Sequence, residues 1–150
     1  MNRQGCSAEE RLNLIQYLKQ TPVAWVADKI VRGALLSKGE IQSRAVLGSL
    51  TTIFSNLGGV LATQRHGKEK FLVREVLPVL RDSRCNDKDA LRKVECYMEL
   101  DAANRLEIKI TICEVGDSCM IVDGNKRASA IYERRSSSSF TPVMVYLVSC

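Results

Sequence analysis

The chain has 150 residues, 45% hydrophobic and 26% charged, a size and balance suited to one medium domain or two small ones that fold and stay soluble. No apolar run approaches the roughly 20 residues needed to cross a bilayer, and the N-terminus lacks the apolar core of a secretory signal, so a cytoplasmic protein without a membrane partner is expected. The formal net charge of +5 lies in residues 1–76, which carry 11 Lys and Arg against 6 Asp and Glu, whereas residues 77–150 carry 11 of each. A polyanion partner would therefore dock on the first half.

Ser7 followed by Glu10 has the spacing of a capping box, and Leu12, Ile15 and Leu18 mark one face of the helix behind it. Pro22 suits a first helical turn, and the apolar stretch Val23–Leu36 reads as a second helix. From Ser43 to Leu57, Val46, Leu50, Ile53, Phe54 and Leu57 form a buried stripe. The opposite face holds Arg44, Gly48, Thr51, Thr52 and Ser55, short groups able to approach a phosphate backbone or a base edge. Gly58-Gly59 ends this third helix, and residues 60–73 read as strand, turn and strand around His66-Gly67, with Arg65, Lys68 and Lys70 at the tip.

Three helices and a basic-tipped hairpin resemble a winged helix-turn-helix domain over residues 7–75. The resemblance implies DNA binding, with Arg44, Thr51, Thr52 and Ser55 on the helix that enters the major groove and Arg65, Lys68 and Lys70 on the wing. The same fold also serves as a protein-interaction module, and a second copy of the chain is a candidate partner.

In the second half, Pro78 lies in a linker, and Asn86 or Asp87 can cap a helix with Leu91, Val94, Tyr97 and Met98 on its apolar face. Leu106, Ile108, Ile110 and Ile112 alternate with polar residues as in a half-buried strand. Gly116-Asp117 turns the chain into a short return strand, Met120–Val122. A helix over Asn125–Arg134, a serine-rich connector and the continuous apolar strand 142–148 complete the half, and strand, helix and strand suggest a βαβ crossover.

Between that return strand and helix lies Asp123-Gly124-Asn125-Lys126-Arg127. Amides and the dipole at a helix start favour an anion, Gly124 permits close approach, and cations in the first turn weaken the helix unless an anion compensates. The segment from Met120 to Ala130 resembles the G-x-x-R signature of the ParB/sulfiredoxin-like superfamily, matched by Gly124, Arg127 and Ala130, with helix, strand and hairpin order agreeing over residues 72–150. The resemblance implies a loop that holds nucleotide phosphate, with Gly124, Asn125, Lys126 and Arg127 as contacts and Asp123 orienting the loop or placing a magnesium ion. The cofactor it implies is a nucleotide, CTP or ATP, with Mg. The motif carries no sulfiredoxin-type cysteine, and the DNA-reading unit precedes the domain instead of following it.

The same turn occurs in Fic/Doc-type nucleotidyl transferases, but their catalytic histidine aligns with Cys119 and their phenylalanine with Ile121, which leaves that chemistry without its base. The six cysteines (Cys6, Cys85, Cys96, Cys113, Cys119 and Cys150) include no C-x-x-C pair, and His66 is the only histidine. No metal site is expected from them; most of the thiols are expected to be reduced, and Cys113 and Cys119, which can lie close across their hairpin, to be reduced and unpaired.

The sequence thus describes an α+β protein: a winged-helix-like helical module with a β-hairpin over 1–76, and a ParB/sulfiredoxin-like mixed sheet with helices over 77–150. The function expected is DNA binding of a partition or regulatory type, with nucleotide or DNA phosphate held at Gly124–Arg127. The alternatives are a nucleotide-dependent phosphotransferase, a nucleotide hydrolase or ParB-like nuclease at the same loop, and a non-catalytic interaction module. No catalytic residue is assigned.

Overall fold

A computed structural model describes residues 1–150 and shows a mixed α+β fold. A short strand β1 (Arg3–Gly5) leads into α1 (Ala8–Lys19). The capping box forms: the Ser7 amide donates to Glu10 Oε1 (3.0 Å) and the Glu10 amide to Ser7 Oγ (3.1 Å). Helix α2 (Ala24–Val31) ends earlier than its apolar run, because Gly33 adopts φ +103° and Leu36 already opens β2 (Leu36–Ile41).

The next stretch departs from the winged-helix expectation. The helix foreseen over Ser43–Leu57 is only α3 (Arg44–Ser49), and from Leu50 the chain runs extended. Leu50–Phe54 instead pairs with neighbouring backbone: Thr52 N donates to Phe71 O (2.9 Å), Val73 N to Leu50 O (2.9 Å) and Ile121 N to Thr51 O (2.9 Å). Thr51, Thr52 and Ile53 are β-branched and favour that extended state, and the Thr52 hydroxyl reinforces it by donating to Phe71 O.

The basic-tipped wing is also absent. Gly58 and Gly59, both at positive φ, form the two-residue turn of a small hairpin, β3 (Asn56–Leu57) with β4 (Val60–Leu61). A one-turn helix α4 (Ala62–His66) follows, closed by Gly67. Residues expected as a linker make α5 (Val73–Leu80), where the Leu72 amide is capped by Glu75. Residues 76 and 77, the expected module boundary, both fall inside α5.

Asp87 caps the long α6 (Lys88–Ala102) through Ala90 N (3.0 Å). The alternating strand starts later than its pattern, as β5 (Thr111–Val115); it turns at Gly116 into β6 (Ser118–Asp123). Helix α7 (Asn125–Arg134) and β7 (Val143–Ser149) complete the chain.

Five strands form one sheet in the order β1-β2-β7-β5-β6. Only β5 and β7 run parallel. The expected βαβ unit is therefore not made: the Gly116 hairpin turns β6 antiparallel to β5, β5 is parallel to β7, and β6 and β7 thus run in opposite directions.

One face of the sheet is covered by α1 and α2, with Leu18, Val26 and Ile30 against Val122 and Val148. The other face buries Ile112, Ile121, Val145 and Leu147 against Leu47 of α3 and Ala128 and Ile131 of α7. A third apolar cluster joins α5, α6 and the small hairpin around Phe71, Val76, Leu80 and Val94.

Helices α6 and α7 are also pinned by charge. Asp101, only 4% exposed at its side chain, accepts from Arg135 Nε (3.0 Å) and from a second nitrogen of that guanidinium (2.7 Å), and pairs with Arg134. Burial alone would raise the Asp101 pKa, but its bonds to Arg135 and Arg134 hold it below the usual carboxylate value.

The expectation that Cys113 is reduced and unpaired is corrected. Cys113 and Cys150 are disulfide-bonded with Cα atoms 5.7 Å apart, since parallel pairing of β5 with β7 brings the end of the chain beside Cys113. Cys119 stays free and faces Glu114 across the hairpin. No helix is long and apolar enough to cross a membrane.

Candidate functional site

Helix α7 begins where β6 leaves the sheet, at Gly124 (φ 87°, ψ 19°). This left-handed conformation suits glycine, and a Cβ here would stand 2.1 Å from Lys109 O and 3.0 Å from Ile110 Cα. The backbone thus lies directly against the segment that enters β5.

No side chain caps the helix, and Ala128 N donates to Gly124 O (2.9 Å) as the first bond of its ladder. The amides of Asn125, Lys126 and Arg127 precede that bond and carry the positive end of the helix dipole. Asn125, Lys126 and Arg127 line a hollow of about 390 Å³.

The opposite walls come from distant segments: Tyr17 of α1, Phe54 of the extended stretch, and Lys93 and Tyr97 of α6. Arg127 places its guanidinium carbon 5.2 Å from the Tyr97 ring centroid, a cation–π distance. Its Nε is buried without a hydrogen-bond partner.

Tyr17 donates to Asp123 Oδ2 (2.8 Å). Burial and this bond both raise the Tyr17 pKa, so the phenol keeps its proton and continues to orient Asp123. Asn125 is 7% exposed and acts mainly as a brace: its Oδ1 accepts from Ile53 N (3.2 Å) and its carbonyl from Ser129 Oγ (2.9 Å).

Asp123 is the single carboxylate lining the hollow, and no group of three or more His, Cys, Asp or Glu residues could hold a metal. Magnesium keeps most of its waters and needs one or two protein carboxylates when phosphates supply other ligands. Asp123 fits that limited part, whereas a cage made by the protein alone does not fit.

The five residues Asp123–Arg127 are therefore brought together at one hollow. The seven expected on a DNA-reading surface are not. Arg44 Nε donates to Tyr132 O (2.8 Å), with its guanidinium 3.8 Å from that ring's centroid, so it is engaged between α3 and α7. Thr52 is fully buried, and Thr51 bridges toward β6. Ser55 lies exposed beside the small hairpin; Arg65 stands 3.9 Å from Asp82; Lys68 is exposed and Lys70 half-buried on the segment after α4.

Sequence patterning did not reveal Tyr17, Phe54, Lys93 and Tyr97 as one wall. Lys93 and Tyr97 do stand four apart on α6, which places a cation and an aromatic ring together. Nothing in sequence spacing joins them to Tyr17 or Phe54. No family model, curated protein or solved structure matches the chain.

Proposed function

We propose that the chain binds a nucleotide, with its phosphate chain at the mouth of α7 and Lys126 and Arg127 beside it, as the ParB/sulfiredoxin-like resemblance implies. The observation that carries this reading is the uncapped start of α7, which lines a hollow beside an Arg127 Nε that has no partner. Amides at a helix start and a guanidinium are complementary to phosphate oxygens. Asp123, held by Tyr17, is the residue that would hold magnesium brought in with the phosphates.

DNA phosphate is the competing ligand, favoured by the +5 net charge. The scatter of Arg44, Thr51, Thr52 and Ser55 in the fold supports the nucleotide reading over DNA. A partition or regulatory role, nucleotide hydrolysis and nuclease action each build on phosphate held at this loop.

Thermal unfolding with each common nucleoside triphosphate and Mg, alongside duplex DNA, tests the proposal. A nucleotide present at 100 times its Kd stabilises the native state by about 2.7 kcal/mol, which raises Tm by roughly 5–10 °C for a chain of this size. Arg127→Ala should abolish the shift. Stabilisation by DNA alone, or a nucleotide shift unchanged in Arg127→Ala, refutes the reading.

A further inference from the structure

Helices α6 and α7 lie side by side and run in the same sense. Toward their C-terminal ends Asp101 pairs with Arg134 and Arg135, and further back Tyr97 meets the Arg127 guanidinium. Lys93 precedes Tyr97 by four residues, roughly 6 Å along the helix axis, whereas Arg127 is only the third residue of α7. Lys93 therefore stands level with the start of α7 or ahead of it, and it lines the same hollow as Lys126 and Arg127.

The charge at this mouth is not balanced within the chain. Lys93, Lys126 and Arg127 enter no ion pair of the fold. Asp89, the acidic residue one turn before Lys93, is taken by Arg92. Asp123 is the single carboxylate of the hollow, so three cations face one anion and two positive charges are left over. An internal phosphate of a nucleic acid offers one negative charge, and a terminal phosphate nearly two. The cations also stand on two walls, Lys126 and Arg127 on α7 and Lys93 on α6. That placement suits a chain of phosphates that crosses between the walls better than a single phosphate seated on one of them.

We infer that Lys93 reads phosphate number: a nucleotide seated on the mouth of α7 extends a chain of two or more phosphates across the hollow and places its doubly charged terminal phosphate on Lys93. The inference rests on the nucleotide reading above. It names nucleoside di- and triphosphates, not monophosphates or nucleic acid, as the ligand class. Lys93 is exposed and carries its charge on a flexible stem, so its ammonium can follow the chain, and replacing it leaves the packing of α6 on α7 in place.

The test is calorimetry on the full chain with the mono-, di- and triphosphates of the four common ribonucleosides. Magnesium is present throughout and salt is kept low, since an exposed charge is easily screened. For the nucleoside that binds, the di- and triphosphate should bind about tenfold or more tightly than the monophosphate. Lys93→Gln should weaken the di- and triphosphate about tenfold, as expected for loss of one charge-assisted hydrogen bond, while monophosphate binding stays unchanged and certifies the fold. Equal affinity along the series, a preference that survives in Lys93→Gln, or an equal loss for the monophosphate overturns the role of Lys93 and leaves the nucleotide reading standing. Binding of no nucleotide overturns both.

Discussion

Replacing Gly124 with alanine tests how tightly the mouth of α7 is built into the sheet. Two penalties act there. The left-handed φ of 87° is unfavourable for any residue with a Cβ, by roughly 1–2 kcal/mol. The new methyl would also meet Lys109 O at 2.1 Å, a backbone atom that cannot swing aside. Relieving that contact moves the segment ahead of β5, including Ile110, which is 1% exposed and whose carbonyl accepts from Tyr146 N (2.9 Å). Overpacking of this kind adds about 1–3 kcal/mol, so Gly124→Ala should destabilise the fold by roughly 2–5 kcal/mol in total.

Gly116→Ala provides the control. Its φ of 59° is also left-handed, but nothing lies within 4 Å of the added Cβ. It should lose only the conformational part, roughly 1–2 kcal/mol. Urea unfolding of the two variants and the parent gives the difference directly. Equal losses would show that the Lys109 carbonyl does not confine Gly124, and the close approach of α7 to the β5 segment would have to be abandoned.

Asp101→Ala should destabilise by about 3–5 kcal/mol, because it leaves the Arg135 guanidinium buried without its anion; a loss below about 1 kcal/mol in urea titration would contradict the pinning of α6 to α7. The same carboxylate has a folded pKa below its unfolded one, so its contribution is complete above about pH 4 and should fade as pH falls through the folded value. A parent-minus-Asp101→Asn stability difference that grows on acidification would have the wrong sign. Reducing the Cys113–Cys150 bond, which spans 37 residues, should lower stability by about 2–4 kcal/mol in matched melts with and without dithiothreitol. Tyr17→Phe frees Asp123 and should weaken magnesium-dependent nucleotide binding more than binding without magnesium, with the calorimetric ratio as the readout.

Local signals in the chain were strong where local chemistry decides structure. The Ser7–Glu10 capping box, the Asp87 cap, the Gly116 turn and the span Asn125–Arg134 all follow from residues within one or two turns of each other. The stretch Ser43–Leu57 misled for the opposite reason. Its apolar spacing fits a helix, yet Thr51 and Thr52 find partners in Phe71, Leu72 and β6, far away in sequence. Gly58-Gly59 stops a helix and turns a hairpin equally well, and only the pairing of Leu57 with Val60 decides between them. At the candidate site, Gly124–Arg127 was visible as a compact motif. Its facing wall was not, because Tyr17, Phe54 and Tyr97 are assembled by three layers of the fold.

The pairing of β2 with β7 joins Leu36 to Val148, so strands near the middle of the sheet come from opposite ends of the chain. During synthesis β1 can pair with β2 early, but the other edge of β2 has no partner until β7 is made. Closing so long a loop requires most of the polypeptide to be released, and contacts of this separation slow the search for the native state. Nascent chains should therefore hold β2 with one edge open for most of translation.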